Sequence, residues 1–345
     1  MIRLFGLRDV LMVKQLQSQG VAFDLRRLLL HSSPPLYSAL SGYLTHYNLG
    51  TITCVHEGTK EGKNLKGFAQ VWPRADQAEW DIVFLSPSLE RHENAADLWY
   101  RLLTYLTILG AEQGILRIYA RSSEDAEAED IFRQAGFTVI AREEVFALRR
   151  EPAAAPRPSG LRLLAPQDGR ALEELYRQAV PQLVQQAEGL PSHSGLAHYR
   201  LPLGSRRGQE YVWAEEGKII AYMGWYSSPR GCWLEIVARP EHRANTPPCI
   251  KHILTLMGCS ETMPVYCPVP DYDVGLGWLL RTLGFESCTR QVLLVVHTAA
   301  RVPVRRKIMV AGLERSVNVH TSVGNLSQMA SGRKPWAWPE GRKCH

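Results

Sequence analysis

Two places in the chain set an arginine and a run of small or polar residues where an apolar strand should give way to a helix. They are Arg91-His92-Glu93-Asn94-Ala95-Ala96 and Arg239-Pro240-Glu241-His242-Arg243-Ala244-Asn245-Thr246-Pro247-Pro248. The first N–H groups of a helix have no partner within it and lie at the positive end of its dipole. Such a corner can cradle an anion, phosphate above all. Arg91 and Arg243 stand at the same place before the helix and could add a charged contact, against the ordinary alternative of surface arginines.

Metal and thiol chemistry have less support. The seven cysteines, at 54, 232, 249, 259, 267, 288 and 344, form no C-x-x-C pair, and the eleven histidines form no H-x-x-x-H or H-E-x-x-H pattern. Reduced packing cysteines and no metal are the expectation. The net charge of +6 is concentrated in the last 45 residues, where nine Lys or Arg face only Glu314 and Glu340. The rest of the chain holds 31 basic and 32 acidic side chains and offers no broad phosphate-binding face. Nucleic-acid contact is expected, if anywhere, only through the basic tail 301–345, which reads as a weakly ordered segment. The apolar stretch from Leu98 to Leu109 is broken by Arg101, and no run reaches the ~18 residues of a membrane span. No membrane partner and a cytoplasmic location are expected.

The elements that must position the two corners come in two similar sets. Asp125 followed by Ala128, Ile131, Phe132, Ala135 and the pair Gly136-Phe137 is echoed by Asp273 followed by Leu276, Leu279, Leu280, Leu283 and the pair Gly284-Phe285. Each reads as a capped helix with one apolar face, stopped by glycine and followed by a strand. Ile2-Arg3-Leu4 likewise matches Leu161-Arg162-Leu163, and the strand passage ending at Arg91 matches the one ending at Arg243. The pattern predicts a duplication: residues 1–150 and 161–300 as two domains, joined by the Pro- and Ala-rich spacer 151–160. Within each, short meandering strands precede a crossover helix, at 95–112 in the first copy and from Pro247 in the second, and then the echoed helix. In the first copy the alternation predicts strands at 51–56, 66–72 and 79–85, a helical region over 25–45, and two closing strands after the echoed helix. The expected class is α/β, with a mixed, mostly antiparallel sheet and helices on both faces in each copy.

With the order of elements and both corners in view, the chain resembles the GNAT superfamily of N-acyltransferases. In that family the corner reads Arg/Gln-x-x-Gly-x-Gly/Ala, and an Asn-x-x-Ala-x-x-x-Tyr-x-x-x-Gly-Phe stretch lies over the echoed helix. The resemblance covers about 1–150 and 160–298. It implies acetyl-CoA or another acyl-CoA as co-substrate, a small-molecule or peptide amine as acceptor, and no metal. Carried over by position, it implies cofactor contacts at Arg91, His92, Asn94, Ala95, Ala96 and Arg243, and main-chain N–H groups near Phe84 and Leu85 that polarise the thioester carbonyl. It also implies catalytic carboxylates at Asp81 and Glu235, against the alternative of outward-facing strand residues paired with Lys or Arg; Tyr119, on the strand facing that of Asp81, is a candidate proton donor against the alternative of a packing residue.

Both copies depart from the family pattern. Asn94 stands in place of a glycine but tolerates left-handed dihedrals and keeps its N–H, whereas Glu93 brings a carboxylate toward the phosphate. Pro247 and Pro248 remove two amide donors, so the first copy is the expected cofactor site. Phe132 and Leu280 stand where the family's tyrosine would supply the acid. The leading expectation is an acyl-CoA-dependent N-acetyltransferase, and the rival is a non-catalytic tandem binding or regulatory protein. Segments 20–50 and 181–208, with Tyr37, Tyr43, His46, His193, His198 and Tyr199, are expected to flank the acceptor cleft.

Overall fold

The computed structural model describes residues 1–298 apart from 31–32, 46–49, 61–62, 75–77, 151–152 and 189–205. His46, His193, His198, Tyr199, the first two spacer residues and the basic tail therefore lie outside the described residues.

The duplicated signals produce duplicated local structure. Asp125 and Asp273 both cap their helices, accepting from the N–H groups of Glu127 and Leu276. Gly136 and Gly284 then take φ of +92° and +89°, the left-handed region that costs glycine least. Phe137 and Phe285 each donate an N–H back to the carbonyl five residues earlier, at 3.0 Å in both copies. At the start of each half an arginine on the opening strand grips an aspartate six residues on with both guanidinium nitrogens: Arg3 to Asp9 at 2.5 and 2.6 Å, and Arg162 to Asp168 at 2.6 and 2.8 Å.

The first half runs β1 (Ile2–Leu4), α1 (Val10–Leu16), β2 (Val21–Ala22), α2 (Leu25–Leu30), α3 (Pro35–Leu44), β3 (Ile52–Lys60), β4 (Lys63–Pro73), β5 (Glu79–Ser86), α4 (Ala95–Glu112), β6 (Arg117–Ser123), α5 (Ala126–Gln134) and β7 (Thr138–Leu148). The second runs β8 (Leu161–Leu163), α6 (Gly169–Ala179), α7 (Gln182–Glu188), β9 (Arg206–Glu215), β10 (Lys218–Ser228), β11 (Gly231–Ala238), α8 (Pro247–Met257), β12 (Val265–Pro270), α9 (Val274–Thr282) and β13 (Glu286–His297). Three details differ from the sequence expectation. The helical region divides because Pro35 begins a new helix. The two closing strands are the single strand β7, and β2 was not foreseen.

Alternation along the strands sorts the core into two layers. Cys54, Ala69 and Leu85 face α4, packing with Leu98, Trp99 and Leu102, while Val55, Phe68 and Phe84 face α1 and α3. The sheet is mixed: β5–β6 and β11–β12 are parallel, and the other pairs are antiparallel.

The halves exchange their last strands. β13 lies between β6 and β7, pairing Leu294 with Ala120 and Leu293 with Ala141, while β7 pairs with β12, Phe146 opposite Cys267. The strand order is β1-β3-β4-β5-β6-β13-β7-β12-β11-β10-β9-β8, with β2 on the edge of β5. Each half thus completes its sheet with a strand from the other. No described helix is long and apolar enough to cross a membrane.

Candidate functional site

The parallel ladders set the level of each candidate carboxylate. Asp81 pairs with Tyr119 in β5–β6, and the matching pair in β11–β12 is Trp233 with Tyr266. Trp233, not Glu235, is therefore the counterpart of Asp81. Glu235 lies on the same face but two residues nearer the corner, level with Val83.

Asp81 is buried and both its oxygens are held. Arg74 Nε donates to Oδ2 at 2.9 Å and Nη2 to Oδ1 at 2.8 Å, and the same guanidinium sits 3.8 Å from the centroid of the Tyr119 ring. Burial alone would push the Asp81 carboxyl up. The charge and hydrogen bonds of Arg74, with Arg121 behind, outweigh it and hold the group below the usual carboxylate range. Tyr119 donates its O–H to the Ala187 carbonyl at 3.0 Å, and burial pushes its pKa well up, with Glu79 adding to and Arg74 opposing the shift. Arg74 carried no sequence signal of its own. Alternation from Trp72, which pairs with Asp81, could have placed it on that face.

Glu235 is held on one oxygen. Tyr226 donates its O–H to Oε1 at 2.7 Å, and Arg26 Nη1 reaches the same oxygen at 3.2 Å and the Tyr226 hydroxyl at 2.7 Å. Oε2 has no partner among the described residues, and the side chain is 22% exposed. Arg26 comes from α2 of the first half, so its role is invisible to local sequence patterns. The reverse crossing brings Ala187, on α7 of the second half, onto Tyr119. Each half's site face is roofed by a helix of the other.

Three amides of the first corner are bonded within it. Arg91 N–H donates to Ser88 O at 3.2 Å, Ala95 N–H to His92 O at 2.9 Å, and Asn94 N–H to the ring nitrogen Nδ1 of His92 at 3.2 Å. The Arg91 side chain is exposed with no partner among the described residues, Ala95 is buried as the first helical residue, and Ala96 is half-buried beside it. The β5–β6 ladder stops at Ile82, and β2 takes the next stretch of edge, Val21 opposite Leu85 and Ala22 opposite Phe84. The Phe84–Leu85 main chain is thus paired with β4 on one side and β2 on the other. Phe23, next to β2, packs edge-on against Phe132 at 5.4 Å, in the space beside the position of the family's tyrosine. Leu280, its counterpart, is equally buried.

The second corner is built differently. The β11–β12 ladder ends at Trp233, and no described strand pairs with Leu234–Ala238 on that side. Only Val180 and Pro181 separate α6 from α7, too short a connection to form a counterpart of β2. Its helix start gives few amides: Pro247 and Pro248 have none, and Thr246 N–H is bonded to Arg243 O at 3.0 Å. Arg243 itself pairs with Asp273, the cap of α9, at 2.8 Å.

The arrangement is similar to acetyltransferases of known structure. A tandem GNAT protein from the clavulanic acid biosynthesis pathway is 14% identical, with 87% of this chain and 98% of that one covered and a TM-score of 0.48. A GCN5-related N-acetyltransferase from Sphaerobacter thermophilus is 15% identical, covering 86% and 95% with a TM-score of 0.47. One from Kribbella flavida is 11% identical, covering 75% and 93% with a TM-score of 0.42. No family model and no curated protein matches the chain.

Proposed function

We propose that the chain is an acyl-CoA-dependent N-acyltransferase that works from its second half, 161–300, with the first half, 1–150, a closed copy that roofs and braces it. One observation carries this reading. The β11 edge past Trp233 has no strand partner among the described residues and bears Glu235 with Oε2 unengaged, whereas the matching edge of β5 is occupied by β2. Amide loss at Pro247 and Pro248 favours the first half as the cofactor site. First-corner amides that are bonded within the corner weaken that preference.

The chemistry would be direct. The acceptor amine attacks the thioester carbonyl of the acyl-CoA, the C–N bond forms, and the C–S bond breaks. The amine proton passes to Glu235 through water, and an N–H of the Leu234–Ala238 edge steadies the developing oxyanion. Leu280 offers no hydroxyl, so coenzyme A departs as thiolate. The test is a panel of small-molecule and peptide amines with acetyl-CoA, followed by release of free thiol. The reading expects release that depends on the amine.

A second reading, a non-catalytic binding pair, is favoured by the buried apolar Phe132 and Leu280 at the two positions of the expected acid. Stabilisation by acetyl-CoA with no thiol released across the panel supports that reading and overturns the first.

A further inference from the structure

In the first half, α2 and α3 stand apart over β4 and β5. The gap is a cavity of about 310 Å³ with apolar walls that include Ala22, Leu28, Pro35, Val83 and Phe84. Asp24, Arg27, Ser38 and Gln70 add polar groups. Two of these are already engaged. Asp24 lies 3.9 Å from Arg26 and accepts the Arg27 N–H, and Gln70 Nε2 donates to the Pro35 carbonyl at 2.8 Å and to Thr53 Oγ1 at 3.1 Å.

Arg27 is the exception. Its guanidinium lies over the Trp72 ring, 4.0 Å from the centroid, and its Nη1 is buried without a hydrogen bond. No carboxylate among the described residues pairs with it. A cation partly withdrawn from water without a counter-ion is unfavourable, and an indole face recovers only part of the loss. The guanidinium is held in place and still lacks an anion.

We propose that this cavity binds a small carboxylic acid with an apolar body, its carboxylate on Arg27 and its carbon chain against Leu28, Val83 and Phe84. The volume suits an acid of about six to eight carbons. The cavity is lined largely by the segment 20–50 expected to flank the acceptor cleft of the first copy, and its occupancy requires no turnover.

Hexanoate titrated calorimetrically into the full chain is the test, with hexanamide as the uncharged analogue of the same shape. The expected result is saturable binding of hexanoate, weakened about tenfold or more by the change to hexanamide or by Arg27→Met. Ala22→Phe, placed on an exposed wall, fills the cavity and abolishes binding with Arg27 intact. Should Arg27→Met fail to fold, the amide comparison and Ala22→Phe still decide. Equal affinity for acid and amide, undiminished binding to a natively melting variant, or no saturable binding of hexanoate overturns the proposal.

Discussion

The corner after β5 and the corner after β11 arise from similar sequence and end in different states. Between α1 and α2 the chain has room, from Gln17 to Asp24, to lay a two-residue strand along the edge of β5; between α6 and α7 it has only Val180 and Pro181. A strand edge is a row of unpaired main-chain groups that takes up whatever partner can reach it. Connection length therefore decides which edge a described strand covers. The carboxylates diverge in parallel: Asp81 has both oxygens in the fork of one arginine, whereas Glu235 shares one oxygen between two donors. A base needs an accessible lone pair, and among the described groups Glu235 has one.

Five substitutions can break or sharpen this contrast. Glu235→Gln should lower amine-dependent thiol release by about 10²-fold or more, read by steady-state kinetics. Asp81→Asn should leave turnover by the folded protein unchanged and cost about 3 kcal/mol in denaturant unfolding, because it strands Arg74 in a buried site. The same pairing has an acid signature. Asp9, Asp81 and Asp168 are all held below the ordinary aspartate value, so their contribution to stability is complete above about pH 3.9 and is lost as pH falls through the depressed values. Gly20→Ala should cost about 1–3 kcal/mol in the same unfolding assay, since its Cβ would lie 2.5 Å from the Leu85 carbonyl and lift β2 from β5. Gly136→Ala should cost about 1 kcal/mol, and Gly284→Ala at least as much, since its Cβ would also displace the Arg150 guanidinium.

What the sequence displayed was local. The helix stops at Gly136 and Gly284 were legible because cap, apolar spacing and glycine fall within about a dozen residues. The crossover helix Ala95–Glu112 followed from its apolar face, with Leu98, Trp99, Leu102, Leu103 and Leu106 all buried. β2 was not legible, since two residues make no alternation. Neither was the strand exchange, because β7 and β13 carry apolar runs that fit either sheet and pairing is settled by long-range packing. That Asp81 and Glu235 stand at different levels of their strands was hidden for a related reason. A period of two fixes the face of a strand residue but not its level, and the irregular pairing of β4 with β5 between Gln70 and Val71 shifts the count near Val83. Arg26, some 200 residues from Tyr226 in sequence, could be found only in three dimensions.

Hydrogen exchange read by mass spectrometry, with and without acetyl-CoA, tests the contrast most directly. The open-edge account predicts new protection in peptides spanning 234–246 and none in those spanning 83–96. Protection confined to 83–96, or ligand binding that leaves 234–246 unchanged, would contradict it.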